Sequence, residues 1–347
     1  MSAPSKKPEL NAANSTPIPL VEKRQRLNWQ LWAGIAISLV CLYLAFRGID
    51  LPTLAKELRS TQLSWLTLAL STSIITLFAK AARWQMILTP IKKPKYQKVF
   101  SAQAIGMLFN LYMPARLGDL ARAYLLGEAE SISKASVLGT IVIEKLSDLL
   151  ILLLSIALLL TQFAIPDWLL KSSETTAVVL ALSLFALIVL VRRPGFVLKA
   201  IERLSLVLPK FWQGWLLRQA NHGLASLNLL RSSGQSIRLF LWTVLIWILG
   251  FLTNYILFFA ARLTLSIWAA VFLLAVLQIG IAVPSSPGRI GVFHYLTMIS
   301  LAFFRVDNQT ALSYSLVLYV VAILPPTLFG AWYLWREKIT WRKLKLS

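Results

Sequence analysis

An all-α, polytopic bundle embedded in a membrane is the fold class this sequence predicts, and three observations carry it. Hydrophobic residues make up 57% of the 347 and charged residues only 14%, with a mean hydropathy of +0.69, a composition foreign to soluble domains. The apolar residues fall into runs of membrane-spanning length, separated by short segments rich in lysine and arginine. The pattern P-x-R-[L/I]-G occurs twice, from Pro114 to Gly118 and from Pro287 to Gly291, each time after an apolar run and about half the chain apart. Such a pair, at corresponding places in two apolar halves, points to an inverted repeat with broken helices at its centre. The expectation is six full spans plus two oppositely oriented re-entrant hairpins.

The net charge of +21 would suggest nucleic acid in a soluble protein. Here the basic residues sit between spans, where they set orientation and meet anionic lipid at the cytoplasmic face, so nucleic-acid binding is excluded. Cys41 is the single cysteine and lies in an apolar run, which rules out an intramolecular disulfide and a thiolate zinc site. Neither histidine has a metal-binding spacing, and no cofactor is expected.

Residues 1–26 are polar, carry Pro8, Pro17 and Pro19, and read as a disordered cytoplasmic tail ahead of a transmembrane domain over 27–336. The run 29–46 follows Lys23, Arg24 and Arg26; it lacks a small-x-small cleavage site and is read as an uncleaved span. Residues 50–60 form a short outer segment of mixed charge. Residues 63–88 are the second span, with Lys80 and Arg83 near its far end, placed either to snorkel to the interface or to touch a headgroup. Lys92, Lys93, Lys95 and Lys98 mark the next loop as cytoplasmic.

Residues 99–113 would rise only ~22 Å as a helix, short of a ~30 Å hydrocarbon core. Pro114 ends this helix, Gly118 permits close backbone approach, and 117–127 returns, which makes a hairpin with its tip inside the membrane. Broken backbone at that depth survives where it lines a cavity. Residues 136–163 form a span carrying Glu144, Lys145 and Asp148. Glu144 and Asp148 share a helix face, and Lys145 is spaced to neutralise one carboxylate. The face is read as functional, against the plainer alternative of an internally satisfied helix. After an outer loop, 175–191 spans back to Arg192 and Arg193, and 195–233 reads as interfacial helices on the cytoplasmic face, with His222 a solvated surface residue. Residues 237–261 span, 267–283 descend to the second tip, 292–304 return, and 311–335 cross to a basic tail at 337–347. Both termini are expected in the cytoplasm. Two full-spanning pairs, ten helices in all, would leave the charge pattern unchanged.

The stretch from Asn110 to Leu126, the segment around Glu144 and Asp148, and the stretch from Pro284 to Phe293 together resemble the lysylphosphatidylglycerol synthase transmembrane region family, also called flippase-like domain proteins. The resemblance covers roughly residues 30 to 335. It implies a bacterial or archaeal inner-membrane protein that handles a lipid, an aminoacylated phospholipid or a polyprenyl-linked glycan or hopanoid among them. Asp119 stands where the family pattern usually has Glu, and His294 where an acidic residue often follows. No soluble aminoacyl-transferase domain follows the last span, so synthesis of lysyl lipid is not expected.

The candidate substrate-binding set is Lys80, Arg83, Asn110, Arg116, Asp119, Arg122, Glu144, Asp148, Arg289 and His294, with Pro114, Gly118, Pro287, Gly288 and Gly291 as tip residues. Arg116 and Arg289 each join a guanidinium to the positive end of a returning half-helix, a combination suited to a phosphate headgroup. Asp119 and Arg122 are spaced to pair; alternatively all these charges pair among themselves. His294 either titrates and gates the cavity or is a hydrogen-bonded structural histidine. The expected function is lipid translocation by alternating access, not catalysis. A non-catalytic partner of an envelope-biosynthesis enzyme is the alternative, and an integral-membrane transferase a third. The oligomeric state is left open.

Overall fold

The computed structural model describes residues 23–113, 117–163, 233–280 and 286–338. The predicted span at 175–191, the interfacial helices at 195–232, His222, the extreme termini, and Pro114 and Arg116 of the first tip lie outside these residues. Among the described residues every regular element is helical: α1 (Lys23–Phe46), α2 (Leu51–Ser60), α3 (Leu63–Leu88), α4 (Tyr96–Tyr112), α5 (Leu117–Glu130), α6 (Lys134–Gln162), α7 (Ser233–Ala260), α8 (Ile267–Gly280), a 3-10 turn (Pro287–Arg289), α9 (Val292–Ala302) and α10 (Asn308–Arg336). Three of them, α3, α7 and α10, are long and apolar enough to cross a bilayer, and a fourth span results if the bent α1–α2 pair counts as one.

The predicted mixed-charge segment at 50–60 is a helix, bent 86° from the end of α1. Its start has a local cause. Asp50 accepts a hydrogen bond from the Thr53 amide at 3.0 Å, and Pro52 sits in the first turn, where no amide is needed.

The bundle is apolar outside and charged inside. Ile75, Leu241, Ile248 and Leu328 are exposed, whereas Arg83, Arg122 and Glu144 are buried. That is the reverse of a water-soluble protein and the arrangement a lipid solvent imposes.

Two apolar cores organise the chain. Trp84 and Leu88 of α3 pack with Val99, Ala102, Leu126 and Ile141 from α4, α5 and α6. Leu257 and Phe258 of α7 pack with Leu273, Leu301, Tyr314 and Leu318 from α8, α9 and α10. The first core is built from the first motif half, and the second mainly from the second half, with Ala45, Leu54 and Ala69 of α1, α2 and α3 joining it. They meet because α3 lies along α7 and α4 lies against α10.

Helices α4 and α5 are antiparallel neighbours at the closest possible approach. A Cβ on Gly118 would lie 1.9 Å from the carbonyl oxygen of Gly106 and 2.6 Å from the amide nitrogen of Asn110, and one on Gly106 would meet the Arg122 side chain. Only glycine lets these backbones touch, and the contact fixes where Arg122 enters the protein. At the second motif Gly288 and Gly291 have φ of +77° and +88°, and a Cβ on Gly291 would sit 2.2 Å from the Ser38 carbonyl of α1. Ser286 of this segment donates its backbone N–H to Ser38 Oγ at 2.8 Å, so α1 pins the second tip from outside while the 3-10 turn rests on α4.

Helix α10 contains Pro325 and Pro326, both buried. Proline has no amide proton, so Val321 and Ala322, four residues earlier, lose their intrahelical donors. The Val321 carbonyl is satisfied from another helix, by the Ser73 hydroxyl at 2.9 Å. The break thus ties α10 to α3, as a polar backbone group inside a membrane requires.

Candidate functional site

The charged residues of the first half form one alternating chain. Arg83 of α3 holds Asp148 of α6 with both guanidinium nitrogens, at 2.6 and 3.1 Å. It also lies 3.4 Å from Glu144. Glu144 in turn accepts both terminal nitrogens of Arg122 from α5, at 2.8 and 3.4 Å. Arg122 reaches Asp119 at 3.9 Å, and Asp119 reaches Lys145 at 3.7 Å. Further groups fix the chain in place. The Arg122 guanidinium lies 4.0 Å over the Trp84 ring, Thr243 accepts from Arg83 at 3.3 Å, and the Trp247 indole N–H points to Asp148 at 3.4 Å. Asn110 donates to Asp119 at 2.9 Å.

This pairing differs in detail from what spacing suggests. Lys145 faces Asp119 and not Asp148, both of whose carboxylate oxygens are taken by Arg83. Arg83 does not snorkel to an interface. Its side chain is fully buried, and it joins α3 to α6 and α7.

Beside this chain lies a cavity of about 390 Å³. Lys80, Ser73 and Thr76 of α3 line it with Gln103 and Asn110 of α4, Arg122 of α5, and Glu144, Lys145 and Asp148 of α6. From the second half come Thr253 and Asn254 of α7, Gln278 of α8, Gly288 and Arg289 of the 3-10 turn, Phe293 of α9, and Tyr319, Ala322 and Pro326 of α10. The structure therefore brings Lys80, Asn110, Arg122, Glu144, Asp148, Gly288 and Arg289 to one cavity. Arg83, Asp119, Gly118, Pro287 and Gly291 are not part of its lining. Arg289 is held with φ of 59°, a conformation rare for a residue with a side chain, and the Tyr319 hydroxyl donates to the adjoining Gly288 carbonyl at 2.8 Å.

His294 does not line this cavity. It is buried, its Nδ1 lies 3.1 Å from Ser315 Oγ, and its ring sits between Phe293 and Tyr319. Among the described residues no group of three or more His, Cys, Asp or Glu is arranged to hold a metal.

Spacing of charges alone misses the uncharged part of the lining, namely Gln103, Asn254, Gln278, Thr253 and Tyr319. A signal for it exists, since an amide side chain inside an apolar run has no favourable lipid-facing position.

The family model described as the Lysylphosphatidylglycerol synthase TM region matches residues 31–330, which takes in both motif segments and every helix that lines the cavity. The chain belongs to that family. Two UPF0104 membrane proteins of Methanocaldococcus jannaschii are similar to it. One is 21% identical over 310 residues, covering 85% of this chain and 91% of that protein. The other is 29% identical over 231 residues, covering 65% of this chain and 92% of that protein. The sequence resemblance to the family thus holds over most of the chain, and a multi-pass membrane protein is what its members and its apolar helices together describe.

Proposed function

We propose that the protein carries a phosphate-bearing lipid across the plasma membrane, holding the headgroup in the central cavity and opening that cavity to each side in turn. The observation that carries this reading is the lining itself. Both motif halves contribute to it, and the cations Lys80, Arg122, Lys145 and Arg289 outnumber the carboxylates Glu144 and Asp148. Both carboxylates are already held by arginines, and a lining in which cations predominate suits an anionic headgroup. Carboxylates tied up in this way hold charge in place, which suits transport better than proton-transfer catalysis.

Helix lengths support the re-entrant arrangement. With 17, 14, 14 and 11 residues, α4, α5, α8 and α9 rise about 26, 21, 21 and 16 Å, all short of a ~30 Å hydrocarbon core. In this reading α4–α5 and α8–α9 are hairpins entering from opposite faces, with the cytoplasm on the side of both termini. The broken backbone at Gly288 and at Pro326 lies where such breaks are tolerated, along a polar cavity. Anionic lipid at the basic cytoplasmic loops is the expected second partner.

The test is transport by the purified protein alone in vesicles, read as loss of fluorescently labelled phosphatidylglycerol from one leaflet. The protein should accelerate this movement, and Lys80→Ala with Arg289→Ala should return it to the protein-free rate. Arg289→Lys should restore it in part, since lysine keeps the charge but not the planar fork. Vesicles in which protein and protein-free rates are equal would sink the proposal.

A further inference from the structure

One cation belongs both to the cavity and to the outer surface of the bundle. Lys145 of α6 lines the cavity, yet its side chain is 49% exposed, against 2% for Arg122 on the same lining. The cavity therefore opens to the outside of the bundle beside it. The surface around this mouth is apolar. Val142 and Leu149, one turn to either side of Lys145 on the same face of α6, are exposed, and so are Leu117 and Leu120 of α5. With α6 as a span, Lys145 lies about 16 Å along the helix from Lys134, which is mid-depth in a ~30 Å hydrocarbon core. The mouth thus meets acyl chain, where an exposed ammonium is costly and marks a functional position.

The partner of Lys145 is one that it can leave. Among the described residues its ion pair is with Asp119 at 3.7 Å, beyond hydrogen-bonding distance, and a partly exposed pair of that length holds little. Arg83 and Arg122 are bound differently. Each grips a carboxylate with two nitrogens, Asp148 at 2.6 and 3.1 Å and Glu144 at 2.8 and 3.4 Å. Asp119 keeps other contacts when the lysine departs, since Asn110 still donates to it at 2.9 Å and Arg122 lies at 3.9 Å. On its flexible four-carbon stem Lys145 can turn from Asp119 to another anion and leave no carboxylate bare.

We propose that Lys145 is the docking residue of a lateral mouth, where it exchanges Asp119 for the phosphate of an entering diacyl phospholipid whose chains stay against the apolar faces of α5 and α6. This rests on the headgroup reading of the cavity given above and adds the route by which the headgroup enters and the side chain that receives it. It also separates lipid phosphate from free phosphate. The mouth adjoins apolar surface that a lipid's chains cover and a hydrated ion does not.

The experiment attaches a bimane fluorophore at Leu149→Cys in the Cys41→Ser protein and reads its quenching in phosphatidylcholine vesicles holding a minor fraction of lipid brominated in the acyl chains. Brominated phosphatidylglycerol should quench in excess of the same amount of brominated phosphatidylcholine, by about tenfold in relative affinity, the worth of one charge-assisted hydrogen bond. Lys145→Gln and Lys145→Met should each remove this excess, and either variant suffices where the other fails to fold. Lys145→Arg should keep it, and Asp119→Asn should keep or enlarge it, because the lysine is then released from its partner. Inorganic phosphate should reduce the excess no more than sodium chloride of equal ionic strength. An excess that survives both neutral variants overturns the proposal. So does an excess lost as fully in Asp119→Asn as in Lys145→Gln, which makes the pair a structural tie, and so does specific displacement by inorganic phosphate. Transport of labelled phosphatidylglycerol by the same proteins keeps the two readings apart. Transport without the excess, or a Lys145→Gln variant that transports at the unmodified rate, overturns the lateral mouth and leaves the headgroup reading standing. Neither transport nor excess in the unmodified protein overturns both.

Discussion

Glu144→Gln is the substitution that most directly measures what holds the first motif half together. Glu144 is 3% exposed and accepts Arg122 at 2.8 and 3.4 Å while Arg83 lies at 3.4 Å. Glutamine keeps the shape but removes the charge that two buried guanidinium groups share. Breaking a buried ion pair from one side costs about 3–5 kcal/mol, because the abandoned charge stays buried. The lower end applies here. Arg83 retains its two bonds to Asp148, and Arg122 retains the Trp84 face at 4.0 Å and Asp119 at 3.9 Å. The expected loss is therefore about 3 kcal/mol, measured from SDS-induced unfolding in mixed micelles. Adding Arg122→Gln should cost less than the two single changes summed, with a coupling of about 2 kcal/mol. Glu128→Gln is the control, since Glu128 pairs with Lys134 at 2.8 Å but both side chains are about half exposed; it should stay within about 0.5 kcal/mol of the unmodified protein. A Glu144→Gln protein as stable as that control, or strict additivity with Arg122→Gln, would refute the network as a structural element.

Other consequences follow from single contacts. Gly118→Ala puts a methyl 1.9 Å from a backbone oxygen of α4 and should cut the yield of folded protein more than Gly106→Ala, whose nearest neighbour is the Arg122 side chain rather than backbone; monodisperse material on gel filtration is the readout. Gly291→Ala combines a positive φ with a contact on the Ser38 carbonyl, whereas Gly48→Ala has the positive φ with open space around it. The former should therefore lower the thermal midpoint well beyond the ~1–2 kcal/mol that the backbone conformation alone costs. Asp307 caps α10 through the Thr310 amide at 3.0 Å. Partial burial pushes its carboxyl pKa up, but the hydrogen bonds from Thr310 outweigh that and hold it below its ordinary 3.8. Its contribution to stability is accordingly present above pH 3.8 and is lost as pH falls through the lower folded value; Asp307→Asn should flatten that acid limb of the stability profile.

The helices were legible where hydropathy changes sharply. The expected span at 63–88 has the same bounds as α3, and among the described residues the other apolar runs differ from their helices only at the ends. Helix α2 was not read from its charge pattern, although Asp50 followed by Pro52 is a local start signal that outweighs a short, mixed composition. The proline pair of α10 lies within a long apolar run whose hydropathy it does not interrupt. Its role depends on Ser73, 248 residues earlier in the sequence, satisfying a freed carbonyl, and no local pattern encodes that. The charged residues of the site were visible as residues, because charge inside an apolar run is rare. Of their pairings, spacing marks Asp119 with Arg122, and the contacts between helices carry no local signal. Which cation meets Asp119 or Asp148 depends on how α3, α5 and α6 are rotated about their axes, which the Gly106–Gly118 contact and the packing of Trp84 decide in three dimensions.

The central claim, a lipid headgroup held at mid-membrane between two re-entrant tips, is tested most directly by cysteine accessibility. Cys41 is the single cysteine in the sequence, so Cys41→Ser provides a background for one reporter at a time. Lys98→Cys and Glu130→Cys flank α4–α5 and should label only from the cytoplasmic side, while Arg262→Cys and Asp307→Cys flank α8–α9 and should label only from outside. Those four fix sidedness. Thr76→Cys and Gln278→Cys, which line the cavity from α3 and α8, decide the claim. The account predicts slow labelling of both from either side, and protection of both when phosphatidylglycerol replaces phosphatidylcholine in the vesicles. Rapid labelling from one side only, at a rate indifferent to the lipid, would contradict it.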